Sequence, residues 1–70
     1  MMRILLRDSE TGHFFRSATN WTPIAKDAFD FESQDVAISM ARELRLKSVE
    51  LWLTWDDYRL IYRDPISPRA

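Results

Sequence analysis

The sequence predicts a two-layer α+β domain of ββαββ type, a four-stranded, mainly antiparallel sheet with one main helix on one face. Three observations carry this. Val49 to Arg63 alternates on either side of Asp56-Asp57, which is a β-hairpin signal. Val36, Ala37, Met40, Ala41 and Leu44 recur at helical spacing. Near the start, two short apolar runs flank a polar loop that ends in Gly12, the single glycine of the chain.

Taken in order, Ile4 to Leu6 begins the first strand. Asp8 to Gly12 turns the chain, and the glycine suits the positive-φ position of a hairpin with a bulge. His13 to Arg16 returns as the second strand, and Ser17 to Asn20 reads as a loop that ends at Trp21. Thr22-Pro23 has the form of an N-cap followed by proline at the first helical position, which opens a short turn through Ile24, Ala25 and Ala28.

Ser33 then caps the main helix, and Asp35 in the first turn complements the helix dipole. Ile38 falls outside the apolar stripe and is expected at its margin or in solvent. Leu44-Arg45-Leu46 ends the helix without a glycine. That places Arg45 in a left-handed conformation and folds Leu46 back towards Ala41. With the last hairpin the preferred strand order is 2-1-3-4. Residues 1–64 form a single domain, and 65–70, with Pro65 and Pro68, form a frayed tail.

Seventy residues leave room for one core only. A chain of this length buries about 60% of the surface its unfolded form exposes, so its stability margin is thin. The chain has no cysteine, which excludes a disulfide framework and a thiolate zinc site, and self-association becomes a natural source of stability. Its formal net charge of −1, with acids and bases interspersed, argues against a general nucleic-acid coat protein. The apolar run Ile4-Leu5-Leu6 is too short for the core of a signal peptide, and no segment reaches the length of a membrane span. The expected location is cytoplasmic, with no membrane partner.

The run Trp21-Thr22, Ala28-Phe29, Phe31-Glu32-Ser33 and Val36-Ala37 resembles a pattern in small uncharacterised bacterial and phage proteins of ββαββ type. In those proteins a hairpin leads to Trp-Thr, then Ala-x-x-Phe, then Ser-x-x-x-Ala on a helix. The resemblance spans about the middle third of the chain. It implies a fold and no chemistry, so no functional residue is carried over from it.

Candidate chemistry is sparse. His13 is the only histidine, and Ser9, Thr11 and His13 are close along the chain without the elbow or orienting group that a triad needs. Asp27, Asp30, Glu32 and Asp35 cluster, but no glycine is present to build a calcium loop, and helix capping explains them. Asp56 and Asp57 are the tip of a hairpin. One glycine cannot form a phosphate-binding loop. No catalytic, metal or cofactor site is therefore expected, and the chain reads as non-enzymatic.

The remaining feature is the sheet face away from the helix. Folding the last hairpin at Asp56-Asp57 sets Trp55 opposite Tyr58, Leu53 opposite Leu60 and Leu51 opposite Tyr62, all towards the core. On the other side Thr54 meets Arg59, Trp52 meets Ile61, and Glu50 meets Arg63. Arg3, Leu5 and Arg7 of the first strand share that side. Trp52, Ile61, Leu5, Arg59 and Arg63 are thus the candidate interface, since tryptophan and arginine are over-represented in binding hot spots. The expected role is self-association, or capture of a protein partner, through this face or an edge strand. The alternative is single-stranded nucleic-acid binding, with bases stacking on Trp52 among the arginines.

Overall fold

The computed structural model describes residues 2–66. The chain runs β1 (Arg3–Asp8), β2 (Phe14–Ser17), β3 (Asn20–Thr22), a 3₁₀ turn (Ala25–Asp27), α1 (Gln34–Glu43), β4 (Val49–Thr54) and β5 (Leu60–Pro65). The strands form one antiparallel sheet in the order β3-β2-β1-β4-β5. The α+β class and the succession of the four expected strands hold, but the sheet has five strands. The extra strand is β3, which takes Trp21 out of the expected loop and pairs it with Phe15. Three residues with a bulge beside them are too short to show an alternating pattern, and so the strand reads as loop in sequence.

Helix α1 covers one face of the sheet. Ala37 and Ala41 are buried, and Met40 and Leu44 pack beside them on Ile4, Leu6, Phe15, Phe31, Val49, Leu51 and Leu53. Two alanines at i and i+4 let the helix backbone lie close to the strands. Val36 belongs to the expected stripe but is half exposed, because the helix meets the sheet along a line centred on the alanines. Ser33 occupies the N-cap, but its side chain makes no capping hydrogen bond. Thr22 caps no helix. It ends β3, and its hydroxyl accepts the Ile24 N–H at 3.1 Å, so the 3₁₀ turn starts only at Ala25.

Between β1 and β2 the backbone is completed from elsewhere. Phe29 N–H donates to the Phe15 carbonyl and Phe31 N–H to the Ile4 carbonyl. The Asp30 carboxylate accepts the N–H groups of Ile4 and Glu32, both at 3.0 Å. Asp30, one of the clustered acids, thus satisfies a β1 donor that has no strand partner. Gly12 has φ 79°, as its loop requires, and donates to the Asp8 carbonyl at 2.8 Å.

At the C-terminal end, β5 continues through Pro65, and Ile66 N–H donates to the Val49 carbonyl at 3.0 Å. Ile66 also packs against the core, so Pro65 belongs to the sheet and Ile66 is anchored beside it, where a frayed tail was expected. The remainder of the expected tail, including Pro68, lies outside the described residues. Among the described residues no helix is long and apolar enough to cross a membrane.

The end of α1 follows its sequence signal. Arg45 has φ 55°, its N–H donates to the Arg42 carbonyl, and Leu46 N–H reaches the Ala41 carbonyl at 2.9 Å. This is a Schellman closure with arginine where glycine is usual. A side chain in this conformation costs about 1–2 kcal/mol, more than glycine loses through its freer unfolded state. Arg45→Gly is therefore expected to stabilise the domain by about 1 kcal/mol, raising the thermal midpoint by about 4–8 °C in a melting experiment.

Candidate functional site

The register of the last hairpin decides which side chains reach its surface. Tyr58 N–H donates to the Trp55 carbonyl at 2.8 Å, Trp55 N–H donates to the Arg59 carbonyl at 3.1 Å, and Tyr58 has φ 64°. This is a three-residue loop, Asp56-Asp57-Tyr58, with a tyrosine in the left-handed position where glycine or asparagine normally marks the turn. The loop is one residue longer than the expected two-residue joint. A second slip follows at once: Thr54 faces Leu60 but Leu53 faces Tyr62, so Ile61 is an extra residue in a bulge.

Together the two slips move the pairing by two residues. Trp52 faces Arg63, Leu51 faces Asp64 and Glu50 faces Pro65. The expected pairs Trp52–Ile61, Glu50–Arg63, Leu53–Leu60, Leu51–Tyr62 and Thr54–Arg59 do not form. Trp55 and Tyr58, expected in the core, instead stand just before the loop and at its last position. Trp55 is 49% exposed, while Tyr58 lies beneath the guanidinium of Arg3, 5.4 Å from the ring centre.

Trp52 is not open either. Phe14 meets it edge-on, with ring centres 5.1 Å apart and planes at 81°. The guanidinium of Arg7 lies over its ring at 5.1 Å. Phe14 stands on β2 and Trp52 on β4, two strand spacings apart, so the rings close over β1 between them. Beneath them Leu5 is wholly buried, on the side away from the helix. Glu50 is buried as well, and it pairs with Arg7 at 3.4 Å. Pairing is what makes a buried carboxylate tolerable. The far face is therefore a second small core built from Leu5, Phe14, Trp52 and Thr54 under an arginine roof. The indole N–H of Trp52 and the hydroxyl of Thr54 are buried there without a hydrogen-bond partner, a modest penalty this layer carries.

Of the five candidate interface residues, Leu5 does not reach the surface and Trp52 is partly covered. Arg59 is exposed and engages Asp57 at 3.0 Å. Arg63 lines an open cleft of about 490 Å³ with Arg7, Glu50 and Pro65, and Ile61 is exposed on the bulge. The structure brings Ile61, Arg59 and Arg63 onto one strand and its loop, and separates them from Leu5. His13 lines neither this cleft nor the one formed by Met2, Arg3, Asp30, Glu32 and Asp56. Among the described residues no group of three or more histidine or carboxylate side chains could hold a metal ion.

Besides Ile24, Phe29 and Val36, which are exposed singly on other elements, exposed apolar side chains gather along β5. Every residue of that strand is exposed, with Leu60 at 45%, Ile61 at 39% and Tyr62 at 51%, and Trp55 adjoins them. Within the sheet, β5 pairs with β4 alone. The sequence reading missed Leu60, Tyr62 and Trp55 because the two-residue loop turned Leu60 towards the core, and because the helix, which packs on β1 and β4, does not cover the helix-side residues at the β5 end. The signal that could have found them is the absence of glycine or asparagine at the turn. In comparisons with known proteins, no family model, curated protein or solved structure matches this chain.

The position of Trp52 generates a prediction about stability. Trp52→Ala should open the second core over Leu5 and destabilise the fold by about 3 kcal/mol, a large share of the margin of so small a domain. Trp52→Phe keeps a ring against Phe14 and removes the unbonded indole N–H, and should lose less than about 1.5 kcal/mol. Urea denaturation reads both. An unchanged midpoint for Trp52→Ala would show that this face is not a core.

Proposed function

We propose that this chain is a small interaction domain without catalytic function, and that its docking element is the β5 side of the sheet. The observation that carries the reading is the exposure of Leu60, Ile61 and Tyr62 on a terminal strand, with Trp55 beside them, while the central strands β1 and β4 are covered. Leu60 faces Thr54 and Tyr62 faces Leu53, so apolar side chains stand on both sides of this edge among Arg59, Arg63 and Asp64, a mixed composition that suits a protein-binding surface. The nucleic-acid alternative loses its platform, since the ring of Trp52 is taken by Phe14 and Arg7. Arg3 and Arg7 are likewise engaged, with Asp30 and with Glu50.

Because these side chains are exposed, replacing them should leave the fold within about 0.5 kcal/mol of the parent. A photo-crosslinking residue at Tyr62 should give adducts of one recurring mass, whether a second copy or another protein. The same residue at Lys26, in the 3₁₀ turn, should give none. Equal yields at both positions, or no adduct at Tyr62, would remove the reading.

A further inference from the structure

The backbone of β5 says what can lie along it. In an antiparallel ladder, bonded and non-bonded pairs alternate, and a residue in a non-bonded pair turns its N–H and C=O away from its partner strand. The bond from Trp55 N–H to the Arg59 carbonyl makes that a bonded pair. The next pair, Thr54 with Leu60, is then non-bonded. From the other end, Ile66 with Val49 is bonded, so Pro65 with Glu50 and Arg63 with Trp52 are non-bonded. Leu60 and Arg63 therefore present both backbone groups at the free edge, and Pro65 presents a carbonyl only.

These outward groups are three residues apart across the Ile61 bulge, whereas a regular strand offers them every second residue. An ordinary extended peptide matches only one of the two positions. An antiparallel copy of β5 matches both, because its own Leu60 and Arg63 have the same spacing read in reverse.

We infer that the partner is a second copy of this chain, paired antiparallel along β5 so that Leu60 of each copy meets Arg63 of the other. This rests on the interaction reading above and deepens it. Leu60 faces Thr54 and Arg63 faces Trp52, so both residues lie on the same side of the sheet. A two-fold axis perpendicular to the sheet therefore joins them without reversing either face. Between the bonded pairs, Ile61 of each copy meets Tyr62 of the other.

One step outward, Arg59 of each copy stands opposite Asp64 of the other. This gives two opposite-charge pairs per dimer, in a non-bonded position where side chains approach most closely. Pro65 comes next and has no N–H to offer, so the pairing stops there. Registers two residues either way lose this fit. One sets Arg59 against Tyr62 and Leu60 against Ile61; the other sets Tyr62 against Arg63 and Leu60 against Pro65. The contact is smaller than the roughly 800 Å² per partner of a standard interface, which places association in about the micromolar to millimolar range.

Sedimentation equilibrium on the full chain from about 10 μM to 1 mM tests this range. Arg59→Asp and Asp64→Arg should each weaken the dimer by about tenfold, and the double reversal should restore it. Arg63→Pro removes an outward N–H without touching the β4 ladder. It should give a monomer with an unchanged circular dichroism spectrum. In hydrogen exchange, the Leu60 and Arg63 amides should become protected as concentration rises, while that of Asp64 is protected throughout.

A monomer at 1 mM overturns the self-pairing, and if position 62 still crosslinks another protein the interaction reading survives. A dimer indifferent to Arg63→Pro and to both reversals overturns the self-pairing and removes β5 as the docking element. Weakening by each reversal without restoration by the pair overturns the register.

Discussion

One ten-residue helix cannot cover a five-stranded sheet, and most of what is unusual in this domain answers that constraint. The helix seals the face that carries Ile4, Leu6, Leu51 and Leu53. The other face has no second layer of backbone to lie against. It is closed by large side chains that lean over the central strand: Phe14 from one neighbour of β1, Trp52 from the other, with Leu5 beneath. Aromatic rings suit this task, since each buries a large area on few rotatable bonds. Arginine supplies the outer skin. Arg7 and Arg3 each lie over a ring and pair with a carboxylate, so apolar stems cover the core while the charges stay satisfied.

The same economy governs the backbone. β1 lies between β2 and β4, yet its ladder with β2 reaches only Arg7 and Phe14, with Asp8 and His13 just beyond. The segment around Asp30 fills the remaining gap, with one carboxylate oxygen and two amides in place of a strand. An acid that reads as part of a solvated cluster is thus a structural element.

Local chemistry was legible in the sequence and distant packing was not. Gly12, Arg45 and Leu46 stand as their neighbours dictate, because loop closure and helix termination are decided within five or six residues. The order of the four longer strands followed from hairpins and a single helix. The register of the last hairpin did not, because Tyr58 adopts a glycine-like conformation without being glycine, and the Ile61 bulge adds a second slip. Two slips of one residue restore the alternation of faces, so Trp52 and Arg63 share a side as expected even though their partners differ. The neighbour of Trp52 was out of reach for another reason. Phe14 lies on a strand that never pairs with β4, and no counting along a hairpin brings them together.

The two borders of the sheet are unequal. On the β3 side the last strand is three residues long, its ladder to β2 is broken by a bulge, and Pro23 follows directly. Such a border offers almost nothing for further strands to grow on. A sheet with one closed border and one usable border has a valence of one. Whatever attaches along β5 ends the assembly, and open-ended fibre growth by edge stacking has no second site from which to continue.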